Sequence, residues 1–262
     1  MGTEFAKYIQ TKEIRFKHAK GMRDIIGKEM HTYHEIFLFL GGDAEFVSEQ
    51  GSKKLSPFTT VVIPKNTFHS FIVHGAEEDY CRCVLNFDSV FELDALIEEK
   101  LKNIFFTEEE NISSLFLKMR DAESSSLPER EKGILLKAFF AELLVSLKEQ
   151  GASVFENPVS PLTDRAITFI NENLAERLTA KDLARALHIS DSYLSHVFKK
   201  EMRISVHKYI LEKRLILADK KIKGGMPAMQ AAAESGFLDY SGFHKQFKKM
   251  FGKAPTRRKS GK

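Results

Sequence analysis

The pattern Ser190-x-x-Tyr-Leu-x-x-x-Phe198-Lys-Lys returns 49 residues later as Asp239-x-x-Gly-Phe-x-x-x-Phe247-Lys-Lys. Each copy sets a cap-forming residue ahead of an apolar pair four residues apart and ends on two lysines, which predicts a capped helix with one buried face. Ahead of the first copy, Thr179-Ala180-Lys181-Asp182 resembles a capping box with the shorter Asp in place of Glu or Gln. It opens a helix to about Leu187, with Leu183, Ala184 and Leu187 as its apolar face. His188-Ile189 is the turn, and Ser190 caps a second helix from Asp191 to about Lys200 that buries Leu194, Val197 and Phe198. The second copy repeats this. Ala228 to Glu234 is a short helix, Ser235-Gly236-Phe237 a turn with Gly236 free to take positive φ, and Asp239 caps a helix from Tyr240 to about Phe251 that buries Phe243, Phe247 and Met250. A short helix, a tight turn and a second helix with a basic end is the helix-turn-helix arrangement, whose second helix fits the major groove. Ser205 to about Lys223 reads as one connecting helix of about 27 Å, close to the ~34 Å between successive major-groove turns on one DNA face.

Charge separates the chain into two halves. Residues 1–160 hold 19 Lys+Arg against 26 Asp+Glu, and residues 161–262 hold 21 against 10, so a net charge of +4 conceals −7 and +11. A basic half whose charges interleave with periodic apolar residues predicts a nucleic-acid or acidic-surface partner rather than a solvated tail. With 43% hydrophobic and 29% charged residues, the composition excludes a disordered or fibrous chain. No run approaches the ~18 apolar residues of a membrane span, and Met1 to Lys20 lacks the apolar centre of a signal peptide. Cys81 and Cys83 lie two apart on an expected strand, with no second pair to complete a zinc site. They are read as small apolar residues in a reduced, cytoplasmic compartment. No phosphate-binding loop, dinucleotide fingerprint, Ser-His-Asp set or Cys-His set occurs, so the chain is not read as an enzyme.

Residues ~5–88 read as β structure. The run Ile36–Leu40 closes at Gly41-Gly42, and Ala44–Val47 leads into a turn at Gln50-Gly51-Ser52. Thr59–Ile63 stops at Pro64-Lys65-Asn66, and Phe68–Val73 and Tyr80–Phe87 follow. Short strands at such spacing predict a sandwich or small barrel. Residues 89–151 read as helical, through Leu93, Leu96, Ile97 and Leu101. A wide stripe follows, of Ile134, Leu135, Ala138, Phe139, Leu143, Leu144 and Leu147, ending at Gly151, after a loop at Ser124–Pro128. That stripe suits a core, a dimer seam, or both. Residues 152–160 read as a linker, since Asn157-Pro158 and Pro161 prevent a continuous helix.

The C-terminal residues resemble the AraC/XylS family of bacterial transcription regulators. The likeness runs through Leu183-Ala184, Ser190 to Lys200, Arg214-Leu-Ile-Leu-Ala218 and Gly236 to Pro255, about 100 residues in all. Three residues depart from it: Arg203 stands where the family usually has Gly, Ala231 where it usually has Ile, and Lys221 where it usually has Leu. The smaller Ala231 implies a less filled second unit. On the first reading helix, the resemblance puts Ser192, Ser195 and His196 at base edges. Tyr240, Ser241, His244 and Lys245 take the matching places on the second, with Lys245 in reach of a guanine edge. Lys199, Lys200, Lys248 and Lys249 are assigned to phosphates.

His31-x-x-x-Glu35, Gly42 and Pro64-x-x-x-x-His69 resemble the cupin barrel found at the front of many members of that family. Metal-dependent cupins use two His two apart, a Glu and a later His, and here the first of that pair falls on Glu29, with His34 nearby. The sensor cupins of the family mostly take small molecules without metal. His31, Glu35, His69 and Phe37 are therefore read as ligand-binding, with Phe39, Phe68 and Phe71 as further wall candidates, and no metal or cofactor is assigned. The fold class expected is α+β: a cupin-like barrel over 1–88, dimerisation helices over 89–151, a linker over 152–160, and an all-α domain with two helix-turn-helix units over 161–262. The function expected is a ligand-responsive, sequence-specific transcription regulator, with sugar as the effector class the resemblance suggests. Its expected partners are double-stranded DNA, a small-molecule effector, RNA polymerase and a second copy of the chain, with no membrane. The alternatives are a DNA-binding protein whose cupin domain only dimerises and a metal-cupin enzyme fused to a DNA-binding domain.

Overall fold

The structure, a computed structural model, describes residues 5–21, 30–90, 92–148 and 155–256. Glu29, the expected helix end at Gly151, the first part of the 152–160 linker and residues 257–262 lie outside the described residues. Two compact units are present, Met1–Phe46 with Ser52–Glu156, and Val47–Gly51 with Asn157–Lys262. The first is a mixed α and β unit and the second is dominated by helices.

The strands of the first unit are β1 (Phe5–Gln10), β2 (Ile14–Lys20), β3 (His34–Gly41), β4 (Ala44–Ser48), β5 (Gly51–Lys54), β6 (Thr60–Ile63), β7 (His69–Val73), β8 (Cys81–Phe87) and β9 (Phe105–Thr107). Six of them make an antiparallel sheet in the order β1-β2-β8-β3-β6-β9. In a second sheet β5, β4 and β7 follow one another. β3 is buried from His34 to Phe39 because both faces are covered. Ile36 and Leu38 face helices α1 (Asp94–Lys100), α2 (Glu110–Ser124) and α3 (Glu129–Ser146), in one core with Phe116, Leu136, Phe140 and Leu143. Phe37 and Phe39 face the second sheet, packing with Phe46, Val61, Ile63 and Tyr80. A strand buried on both sides reads as a continuous apolar run, and that is the form of Ile36–Leu40.

Several details differ from the sequence reading. The turn expected at Gln50–Ser52 lies earlier, and Gly51 already opens β5, whose polar Ser52-Lys53-Lys54 carries no apolar alternation. β9 lies within the stretch expected to be helical, where Thr107 pairs with Thr60 and Phe105 with Val62. The expected stripe of α3 is rotated. Leu136, Phe140, Leu143 and Leu144 are the buried residues, whereas Leu135 and Phe139 are only partly covered and Ile134 and Val145 are 58% and 71% exposed. Leu143 therefore belongs to the core and not to an outward seam.

The second unit contains α4 (Pro161–Glu172), α5 (Ala180–Ala186), α6 (Asp191–Met202), α7 (Val206–Lys223), α8 (Ala228–Ala233) and α9 (Tyr240–Phe251). Pro161 begins α4, where its missing N–H is not needed, and Ser160 caps it. Thr179 and Asp182 form the reciprocal capping box of α5. Ser190 accepts from the Tyr193 N–H to cap α6, and Asp239 accepts from the Ser241 and Gly242 N–H groups to cap α9. α6 buries Leu194, Phe198 and Met202, with Val197 half-buried. Leu215, Ala218 and Ile222 of α7 pack with Ala231, Ala232, Phe243 and Phe247.

Candidate DNA-reading surface and buried histidine cluster

The buried face of each second helix determines what is left outside. On α6, Ser192, Ser195, His196, Lys199 and Lys200 are all exposed. On α9, Tyr240, Ser241, Lys245, Lys248 and Lys249 are exposed and His244 is half-buried, its ring 6.3 Å from that of Tyr240. The caps fix where each helix starts, so the two outward rows keep the same phase as the repeat. Among the described residues, no carboxylate lies at ion-pair distance from Lys199, Lys200, Lys245, Lys248 or Lys249. These lysines are left available to an external anion. Tyr193, 56% exposed within the α6 row, and Leu238, 84% exposed just before α9, complete the two surfaces. Sequence reasoning passed over both because an exposed apolar residue breaks the buried-face pattern it relied on.

The turns between the paired helices are held from behind. Gly236 takes φ 84°, and a Cβ there would meet the Leu174 carbonyl oxygen and the Arg214 side chain. Arg214 donates from Nε to the Leu174 carbonyl at 2.9 Å and from Nη2 to the Glu176 carbonyl at 2.7 Å. This arginine of α7 thus ties the segment after α4 against the turn before α9. Of the residues that depart from the family pattern, Lys221 pairs with Glu234 at 2.7 Å, joining α7 to the end of α8.

In the first unit, the expected ligand residues His31, Glu35 and His69 come together and are all buried. Glu35 sits on β3, on the same inward side as Phe37 and Phe39, and His69 opens β7 on the facing sheet. His31 Nε2 is 3.5 Å from Glu35 Oε2, and His69 Nε2 is 3.9 Å from Glu35 Oε1. Tyr33 stacks on His31 at 3.9 Å, and Phe37 stacks on Phe71 at 4.0 Å. Burial holds the His69 pKa down to about 4, against the pull of Glu35, so this imidazole is neutral at neutral pH. Burial raises the Glu35 pKa, but the nearby imidazoles and Arg82 outweigh it and hold the carboxyl below its usual range. His34 points elsewhere, stacking on Phe87 and accepting the Lys65 N–H through Nδ1. Phe37, Phe39 and Phe68 are all fully buried.

Two helix pairs, each with a capped second helix and an outward polar row, define a helix-turn-helix protein. Residues 183–259 match a family model described as a helix-turn-helix domain. The probable transcriptional regulator LumQ of Photobacterium leiognathi is 28% identical over 230 residues, 87% of this chain and 89% of that protein. The lactose operon transcription activator of Staphylococcus xylosus is 26% identical over 149 residues, 55% of this chain, and the match spans 52% of that protein. Among solved structures, the C-terminal domain of AraT, a response regulator from Geobacillus stearothermophilus, is 28% identical and covers 37% of this chain and 82% of its own, with a TM-score of 0.36. The chain is a transcriptional regulator carrying an AraC-type helix-turn-helix domain.

Proposed function

We propose that the chain is a sequence-specific regulator whose first unit senses a small molecule. In this reading α6 and α9 each enter a major groove. Ser192, Ser195, His196, Tyr240, Ser241, His244 and Lys245 meet base edges, and Lys199, Lys200, Lys248 and Lys249 meet phosphates. The observation that carries it is the repeat of an outward Lys-Lys, without an ion-pair partner among the described residues, at the same place on two capped helices. The first unit is read as a cupin-like barrel in which His31, Glu35, His69 and Phe37 engage the effector. A sugar effector is supported by the lactose operon activator among the relatives and by aromatic rings beside a buried carboxylate. A second copy of the chain joins along the outward side of α3, where Ile134 and Val145 are exposed. Such a regulator works in the cytoplasm beside RNA polymerase and has no catalytic role of its own.

The experiment that tests this reading is operator selection from random duplexes with the full chain, repeated with a panel of sugars. A recovered motif with two blocks, and a shift in affinity with one sugar, is the expected result. Binding without sequence preference overturns the specific reading, and indifference to every sugar overturns the effector class.

A further inference from the structure

We propose that Tyr193 and Leu238 are thymine readers, each setting its apolar side chain against a 5-methyl group in the major groove. The inference rests on α6 and α9 being the groove helices, and it adds two residues to the contacts assigned to them. Both side chains stand at the N-terminal end of a reading helix, the end that reaches base edges. Tyr193 is the third residue of α6, three ahead of His196 and seven ahead of Lys200, so it shares their face. It is 56% exposed. Leu238 directly precedes the Asp239 cap of α9. An apolar residue in that position ordinarily folds back on the fourth helical residue, which here is Phe243. Phe237 takes that contact instead, its ring 4.9 Å from that of Phe243. Leu238 is left 84% exposed, whereas Ile189, in the same place before α6, is half-buried.

The repeat shows that the two exposures are alternatives. Gly242 holds the place of Tyr193 in the second copy, and a Cβ there would lie 2.7 Å from the Asp239 carboxylate that caps the helix. So α6 carries its apolar group on the helix, and α9 carries it on the turn just before the helix. Tyr240 is different, because its ring rests on Phe243 at 5.7 Å. The base edges of the major groove offer one apolar partner, the thymine methyl. Ser192 and Ser195 on α6 and Ser241 on α9 can pair with several base edges, so their hydroxyls discriminate little. A methyl contact does discriminate, since the other bases present no apolar group to bury. Burial of one methyl against such a side chain corresponds to about 4-fold in affinity. The lysines further along each helix, assigned to phosphates, supply affinity without that discrimination.

The test uses the full chain on its selected operator, with deoxyuridine replacing each thymidine in turn so that only the 5-methyl group is removed. Competition anisotropy reads the affinity. One position in each block is expected to weaken binding about 4-fold. Leu238→Ala removes the penalty in one block and leaves the other, Tyr193→Ala does the reverse, and Tyr193→Phe keeps both. Each variant trims an exposed side chain, so wild-type circular dichroism is expected, and the deoxyuridine series on the wild type needs no variant at all. Indifference to every deoxyuridine overturns the proposal. So do penalties that survive both alanine variants, or that vanish from both blocks with either one. Loss of transcription in a variant with its penalties intact assigns the side chain to a protein contact and overturns the proposal as well. An operator recovered without any methyl effect leaves base-edge reading by α6 and α9 standing, whereas failure to recover an operator removes both.

Discussion

Single residues show where this chain differs from an ideal solution. Arg203 closes α6 at φ 59°, while Gly252 closes α9 at φ 71° in the matching place. A left-handed conformation costs a residue with a Cβ about 1–2 kcal/mol, and glycine gives back part of this through its freer unfolded state. Arg203→Gly is expected to stabilise the second unit by about 0.5–1 kcal/mol, read from denaturant midpoints; a loss of stability would show that the Arg203 side chain contributes more than its backbone costs. His34 offers a pH test. Burial, aided by Lys65, lowers its pKa from the usual 6.5 to about 4. The unfolded chain therefore binds a proton that the folded chain refuses, and this contribution to stability is lost as pH falls from about 6.5 toward 4. Melting temperatures between pH 7 and 5 are expected to fall less in His34→Gln than in wild type. An equal fall in both removes His34 as the cause. At the reading surface, Lys245→Ala is expected to relax base preference in one block of the operator, whereas Lys200→Ala weakens all sequences alike. Operator selection with both variants checks this, and the reverse pattern refutes the assignment.

Whole elements were legible where one local pattern decided them. β3 was visible as an apolar run, and α5, α6 and α9 through their caps and apolar pairs. β5 and β9 were not: both are short, β5 is polar, and the partner of β9 lies far along the chain. α3 was visible as a helix but not in its phase. Ile134, Leu135, Leu136, Phe139, Phe140, Leu143, Leu144 and Val145 surround it with apolar side chains, so periodicity alone cannot choose the buried side. The sheet chooses, by taking Leu136, Phe140, Leu143 and Leu144 into its core. Ile134 and Val145 are left outward, and they carry the dimer proposal. Val145→Lys adds a charge where the monomer is already exposed to water, so the fold should persist and sedimentation should shift from dimer to monomer. Leu143→Lys instead buries a charge without a partner and should cost several kcal/mol of stability. A wild-type monomer at tens of micromolar, or a Val145→Lys dimer, ends the α3 interface.

At the scale of the whole molecule, the contrast between −7 and +11 was the broadest clue to a division of labour, since it needed no structure to see. The buried cluster was half legible: the spacing of His31 and Glu35 was plain, but only the fold brings His69 beside them, and the direction of each ring nitrogen depends on how a carbonyl two residues away is turned. For DNA binding, the positive charge matters only where it is free to meet phosphate. Lys221 and Lys223 of α7 are tied to Glu234 and Asp219, whereas five lysines on α6 and α9 have no such partner among the described residues. If four of these five displace counterions and Lys245 reads a base, binding should fall with salt at a slope of about −0.9 per phosphate contact, or roughly −3 to −4. Between about 50 and 200 mM salt that is a loss on the order of 100-fold. Replacing Lys248 and Lys249 together by Ala should reduce the slope by about 2, because each lost contact leaves one fewer counterion to release. Lys221→Ala, which removes a lysine already paired within the protein, should leave the slope unchanged. Fluorescence anisotropy of the full chain on its selected operator, across a salt series, measures all three. A slope that follows Lys221 rather than Lys248 and Lys249 would move the phosphate contacts from α9 to α7 and reverse the docking of the second unit.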